Sequence, residues 1–549
     1  MNIVYTFLLA FLFKMFFAGS LLAQFVKNER YVDFNPIHTC NATADIDAII
    51  NDIEFNSKAL RKEGGNLKSL RAGSQEILFS WPLRAANHFH ENSYYGITNF
   101  VDHDLNYPNQ VLDYYCGERT YDTNTGNHGG TDIAVYPQRW SMMDNDMVEI
   151  VAAATGVIVF KRDGEYDRNC NFSSDSLSNA IILEHANGMR SMYYHMKKNS
   201  VTEKNIGDLV VEGEYLGIVG SSGTSSGPHL HFEIRDSLNQ ILDPFEGPCN
   251  PSVQNSLWKS QKPYYNYGLL TANIQSQFQE NSSDCKIDHQ FFLKNHFQQG
   301  EQLFLHVFGR TTQEGDSIHY FLYRPDGTEY WNHLRIRDTG YANLFWAGRS
   351  RTIQSNEQDG TWKYRVIAAG DTIDKYFCVG SVSSVTSVLN YDIQSNGKEV
   401  HFESLSENAF TYLWQFGDGY ESVQMNPTHQ YDEFGIFEVC LTVTNGCDSS
   451  TFCEYIDLLP VSNVTMATFN KPIIYPNPAN SNITVRFNDP GIEIHKVYIL
   501  NLLGQKVEAH SNNLPGNTFM LTNMVNQKGM YILKIDLGNK NVYSRIVID

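Results

Sequence analysis

The sequence predicts a mainly β, multidomain fold, with an antiparallel β-sheet core followed by three small β-sandwich domains. Three observations lead there. In His229–Arg235 the apolar Leu230, Phe232 and Ile234 alternate with polar neighbours, and a period of two marks a strand with one face on a core. Glycines recur between apolar pairs, at Gly207, Gly213, Gly217 and Gly220, which calls for tight hairpins and hence antiparallel pairing. At 549 residues the chain is also too long for a single core.

Taken in order, the apolar run from Ile3 to Ala23 ends in the small residues Ala18, Gly19, Ser20 and Ala23, and predicts a secretory signal over residues 1–23. The only lysine of that stretch, Lys14, lies inside the run, and an uncleaved anchor is the competing reading. No other segment is long and apolar enough to cross a bilayer, so no stable membrane span is expected after processing. Residues 24–76 contain a helix-like stretch, Ala44 to Leu60, with Ile46, Ile49, Ile50 and Ile53 at helical spacing. Two readings stay open for it: a lead-in helix packed on the next domain, or a removable pro-segment.

Residues 77–246 carry the chemistry. NHGGTDIAVYP, at Asn127 to Pro137, and GPHLHFEIR, at Gly227 to Arg235, together hold three histidines and an aspartate. His229 and His231 leave their strand on one side, opposite the apolar face. His128 and Asp132 flank Gly129 and Gly130, whose backbone freedom can turn two side chains onto one ion. An HxxxD turn and an HxH strand can thus offer nitrogen and oxygen ligands to one tetrahedral zinc. Val148 to Phe160, Ala180 to Glu184 and Met189 to His195 read as strands, which puts His195 at a strand end, where a side chain can project. Upstream, His88 with His90 and Asp102 with His103 are further candidates. NHFH repeats the HxH spacing without the apolar alternation, and these loops read as the lining of a groove. GSSGTSSG looks like a phosphate loop but holds no lysine and leads into a strand, so no nucleotide is expected there.

In this order the motifs resemble the lysostaphin-type (LytM-like) zinc metallopeptidases, over about Ile77 to Glu246. The matching parts are HxxxD at His128 and Asp132, a lone His195 in SMYYHMK, and HxH at His229 and His231 after a Gly/Ser-rich loop. The resemblance implies one zinc per chain, held by His128, Asp132 and His231. It gives the acid–base work to His195 and His229, one as general base and the other holding the oxyanion. The implied activity is that of a secreted zinc metalloendopeptidase cutting peptide bonds in peptidoglycan cross-bridges or stem peptides. A protease acting on extracellular proteins, and a catalytically silent wall-binding or adhesion scaffold, are the alternatives.

Residues 247–285 turn to Pro, Asn, Ser and Gln and read as a linker. Short aromatic strands with turns at RPDGTE and EQDGTW predict an immunoglobulin-like β-sandwich over 286–383. Residues 384–459 resemble a PKD domain through Trp414, the FGDG turn at Phe416 to Gly419, and the run from His429 to Gly435. Residues 460–549 resemble the C-terminal sorting domain of the type IX secretion system, through IYPNPANSNITVRF, VYILNLLGQKV and KGMYILKI in that order. That resemblance implies handling by the type IX machinery and export through the periplasm, to the cell surface or the medium.

A net charge of −20 argues against a nucleic-acid partner, whose binding rests on neutralising phosphates. Nine cysteines in an exported chain are expected to pair and leave one over. Candidate pairs by neighbourhood are Cys116 with Cys170, Cys249 or Cys378 with Cys285, and two of Cys440, Cys447 and Cys453. No CxxC spacing occurs, so a cysteine zinc site is not expected.

Overall fold

The computed structural model describes residues 24–26, 29–34, 43–63, 66–70, 77–106, 108, 110–123, 126–170, 177–280, 285, 287–394 and 397–458, with stretches between 472 and 548. The expected secretory signal over 1–23 and Cys40 lie outside the described residues. The chain forms two compact units, Met1–Leu459 and Pro460–Asp549. Both are built almost wholly of antiparallel strands, as the period-two pattern predicts.

In the first unit, the His–x–His segment is the strand His229–Arg235, near the middle of an eight-stranded sheet. It pairs with Arg190–Tyr194 on one side and Thr131–Val135 on the other. That register sets His231 opposite Tyr194 in one neighbour and opposite Asp132 in the other. Directly opposed residues project from the same face of a sheet, so the pairing itself brings Asp132 to His231. The other face buries Ile133, Leu183, Tyr193, Leu230, Phe232 and Ile234 against a three-stranded sheet of Leu83–Ala85, Val148–Val151 and Tyr215–Ile218.

The histidine-bearing face is covered on both flanks. On one flank the helix Thr43–Glu63 sets Ile49 and Ile53 onto Val159, Phe160, Ile182, Met192 and Tyr194, each buried isoleucine contributing about 1.5–3 kcal/mol. Ser57 and Arg61 one and two turns on donate to the two oxygens of the buried Glu184, at 2.8 and 2.9 Å. The helix reaches Val159 and Glu184 through Asn56, Ser57 and Arg61, at the sheet end away from His231, and Asn66 just beyond it donates to the Gly207 carbonyl. On the other flank, Ala134 and Tyr136 pack with Val32, Leu270, Phe308, Leu344 and Trp346 of the next domain.

That domain is a sandwich of two five-stranded sheets, and three of its strands, Gln24–Val26, Glu29–Phe34 and Gly268–Gln275, come from outside residues 286–383. Glu29–Phe34 pairs with Tyr341–Thr352, so part of the supposed lead-in is a sandwich strand. Gly268–Gln275, in the expected linker, pairs with Gln302–Gln313. Nearly all of Gly268–Gln275 is buried. A strand covered on both faces does not alternate, which is why its composition read as a connector.

A PKD-type sandwich of a three- and a four-stranded sheet follows, around the fully buried Trp414. The second unit holds two four-stranded sheets around Ile483, Val485, Ile499, Leu533 and Ile546.

The disulfides are Cys116–Cys249, Cys170–Cys285, Cys378–Cys447 and Cys440–Cys453. Only the last agrees with pairing by neighbourhood. Cys116 meets Cys249 rather than Cys170 because the 113–119 turn folds onto residues 247–250, with the Cys249 N–H on the Tyr114 carbonyl at 2.9 Å. Cys285 is thereby left to Cys170, and Cys378 joins the PKD-type domain through Cys447.

Candidate metal centre and catalytic histidines

His128, Asp132 and His231 converge, all three buried. His231 Nδ1 lies 2.9 Å from Asp132 Oδ1, His128 Nε2 lies 3.2 Å from the same oxygen, and the two ring nitrogens are 3.1 Å apart. Zinc bonds of about 2.0–2.2 Å at tetrahedral angles would set such atoms about 3.4 Å apart, so the triangle is close to the size of one zinc face. The donor chemistry fits as well. His128 Nδ1 donates to the Phe100 carbonyl at 2.7 Å, which leaves the lone pair on Nε2, facing its two companions. Asn99 Nδ2 donates to Asp132 Oδ2 at 3.1 Å, turning Oδ1 inward. Such outer partners orient ligands and fix tautomers. Burial opposes ionisation of Asp132, but His128, His231 and His229 around it outweigh burial and hold the carboxyl well below its usual range. Burial likewise pulls His128 down, yet Asp132 beside it carries the net shift upward.

The two glycines of HGGTD are required by space rather than by backbone angle. Neither is among the positive-φ residues. A Cβ on Gly130 would stand 2.7 Å from His231 Nε2, and one on Gly129 would stand 2.8 Å from Glu233 Oε1. Tyr121, itself buried, lays its ring over that of His128 at 4.3 Å between centroids.

His195 and His229 stand beside this triangle, with ring centroids 4.6 Å apart. His195 has φ of 63°, a left-handed conformation that carries a cost for a non-glycine residue. The turn aims its Nδ1 at the Ser222 carbonyl at 2.7 Å, with Ser178 Oγ at 3.2 Å. His229 Nδ1 donates to the Gly227 carbonyl at 2.7 Å, and its Nε2 lies 3.6 Å from Asp132 Oδ1. In both rings the Nδ1 proton is committed to a main-chain oxygen, so Nε2 is the basic atom. Burial first, and then the neighbouring His231, push the His195 imidazole down to about 4 against the opposing Ser222 carbonyl, so it is neutral at pH 7.

The remaining candidates do not join the centre. His88 bonds the Asn145 carbonyl at 2.8 Å and His90 bonds Glu421 of the PKD-type domain at 2.8 Å, so the two imidazoles of NHFH serve different partners. His103 pairs with Asp243 at 2.9 Å, and Asp102 accepts from the N–H groups of Asp104 and Leu112. Sequence reasoning missed Asn99, the Phe100 carbonyl and Tyr121. Each acts through tertiary contact, and the one available signal was their place in the long stretch before His128.

An antiparallel sheet presenting a His–Asp–His triangle and two further imidazoles on one face defines a peptidase-class site with a possible metal position. The sequence comparisons agree. Residues 126–244 match the model of Peptidase family M23, residues 389–457 a PKD domain, and residues 473–549 a secretion system C-terminal sorting domain. The chain therefore carries an M23 peptidase domain, a PKD domain and a type IX sorting domain. It is 42% identical over 85 residues to the DD-carboxypeptidase/endopeptidase Mpg of Neisseria meningitidis serogroup B, covering 15% of this chain and 16% of that protein. It is 27% identical over 107 residues to the peptidoglycan DD-endopeptidase ShyA of Vibrio cholerae, covering 20% of each. Lysostaphin of Staphylococcus simulans is 28% identical over 214 residues, covering 36% of each. The chain thus spans 16% of the length of the first of these relatives.

Proposed function

We propose that this protein is an exported zinc metalloendopeptidase that hydrolyses peptide bonds in peptidoglycan cross-bridges or stem peptides. The observation that carries the reading is the meeting of His128, Asp132 and His231 within 3.2 Å, with His195 and His229 alongside. His128, Asp132 and His231 would hold one zinc per chain. A zinc so bound supplies a Lewis acid and lowers the pKa of a bound water to about 7.

The chain's own part follows from its hydrogen bonds. With Nδ1–H of His229 held by the Gly227 carbonyl, Nε2 is free of a proton and nearest to Asp132, which suits it to take a proton from the attacking water. Once protonated, the same atom becomes a donor and can return that proton to the departing amine. His195 begins as an acceptor for the same reason, and can donate to the developing oxyanion only after it too is protonated. The five side chains are buried, which strengthens each charge interaction among them.

The wall-peptide substrate is supported by the relatives, which include peptidoglycan endopeptidases, and export by the sorting domain. The test is mass spectrometry of products from purified peptidoglycan and, in parallel, from casein and elastin. Cleavage of muropeptides at a peptide bond is the expected result. Cleavage of the proteins alone would favour the extracellular-protease reading, and no cleavage of either would favour the scaffold.

A further inference from the structure

The Gly/Ser loop that supplies the carbonyls for both histidines does not stand alone. Asn169, in the insertion between two strands of the large sheet, is buried and meets the loop with three bonds. Its N–H donates to the Ser221 carbonyl at 3.0 Å, its Nδ2 donates to the Gly223 carbonyl at 2.7 Å, and its own carbonyl accepts from Ser221 Oγ at 2.6 Å. These bonds bracket Ser222, whose carbonyl holds His195. They also lead to the other histidine, because Ser221 Oγ lies 2.7 Å from Ser225 Oγ, which lies 3.0 Å from the Gly227 carbonyl and 3.3 Å from His229 Nδ1.

Gly223 is held to glycine by both backbone and space. Its φ is +71°, and a Cβ there would sit only 2.3 Å from the Oγ of Ser178, which itself lies 3.2 Å from His195 Nδ1. Asn169 is itself fixed from outside the peptidase sheet. The next residue, Cys170, is bonded to Cys285, in the segment between the strands Gly268–Gln275 and His296–Phe297 of the neighbouring sandwich. That segment is anchored in turn, with the Cys285 carbonyl accepting from Trp140 Nε1 at 2.8 Å and the Asp288 carboxylate from the N–H groups of Trp140 and Ser141 at 3.0 and 2.7 Å.

We propose that Asn169, latched by Cys170–Cys285, is a positioning residue for both catalytic histidines, setting the Ser222 and Gly227 carbonyls that keep each Nδ1 protonated and each Nε2 basic. This rests on the assignment of His195 and His229 made above. A neutral imidazole released from its carbonyl can shift its proton to Nε2 and is then no base at the reacting position. The bonds of Asn169 run to Ser221 and Gly223 and not to His128, Asp132 or His231, so its removal is expected to act on turnover rather than on metal binding.

The experiment uses the full exported chain and three variants: Asn169→Asp, which keeps size and main-chain bonds but loses the donor to Gly223; the double variant Cys170→Ser/Cys285→Ser; and His229→Ala as reference. Zinc content, kcat and KM on a soluble wall peptide are read for each. The expected result for the first two is zinc as in the unmodified protein, KM within about twofold, and kcat lower by about 10- to 100-fold, the range usual for groups that orient others. Full turnover in Asn169→Asp beside an inactive His229→Ala overturns this inference alone. Full turnover in His229→Ala overturns the assignment of that histidine and this inference with it. Loss of zinc from Asn169→Asp also overturns it, since the residue would then be supporting the fold of the metal centre.

Discussion

His231 and Asp132 face each other across two adjacent strands in direct register, with His231 Nδ1 2.9 Å from Asp132 Oδ1. Two groups that belong to segments about a hundred residues apart in the chain are thus placed by main-chain pairing, before any side chain chooses a rotamer. A one-residue slip of that pairing would put one of the two on the core face and part it from the other, so the ladder and the centre stand or fall together.

The outer bonds of the centre should matter nearly as much as the ligands. Asn99→Ala removes the donor that turns Asp132 Oδ1 inward, and is expected to weaken zinc binding about 10- to 100-fold. Competition with a chromophoric chelator measures it, and unchanged affinity would show that Asp132 needs no such help.

Gly130→Ala tests whether the glycine is there for space. A methyl group 2.7 Å from His231 Nε2 forces the ring away from Asp132. The expected cost is about 1–3 kcal/mol in stability, together with loss of zinc, read by denaturant unfolding and elemental analysis. Normal zinc content would return the explanation to backbone freedom.

The peptidase domain should depend on its neighbour sandwich. Leu344 is buried in the core shared with Ala134 and Tyr136, and a Cβ on Gly96 of the peptidase sheet would stand 2.6 Å from Leu344 Cδ2. Leu344→Ala is expected to destabilise the first unit by about 2–5 kcal/mol, although it lies outside the peptidase sheet. An unfolding transition of the peptidase domain unmoved by this change would mean the shared core contributes little.

Acid should weaken the fold through histidines held neutral. Burial pushes His185 down to about 4, against help from the Thr155 carbonyl, and His306 down to about 3, against the Phe304 carbonyl. Unfolded, both would titrate near about 6.5. Between the folded and unfolded values the unfolded chain binds more protons, so stability rises with pH in that window. It should therefore be full above about pH 6.5 and fall as pH drops toward about 4. Replacing His306 with Phe should flatten part of that slope in denaturant midpoints taken from pH 4 to 7, and an identical slope would remove His306 from the account.

Much of this was legible in the sequence because it is local. The alternation of Leu230, Phe232 and Ile234 with His229, Glu233 and His231 gives the strand and its two faces, and His128 and Asp132 sit one short turn apart. The rest depends on partners distant in the chain. Asn99, Tyr121 and Asn169 have no local pattern, and their use appears only when the sheet brings them to a ring or a loop. Glu29–Phe34 could not be read as a sandwich strand because its partner, Tyr341–Thr352, lies across the whole peptidase domain. The cysteines show the same limit, with Cys116 joined to Cys249 at a separation of 133 residues.

The most direct test of the central claim is zinc content and turnover measured together on His128→Ala, His195→Ala and His229→Ala of the full chain. Loss of one of three ligands should empty the first variant of metal and of activity. The other two lose no ligand, and should keep about one zinc each while turnover falls by about 10² to 10⁴. Retained turnover in either, or loss of zinc from His229→Ala, would contradict the division of these histidines into those that hold the ion and those that move the proton.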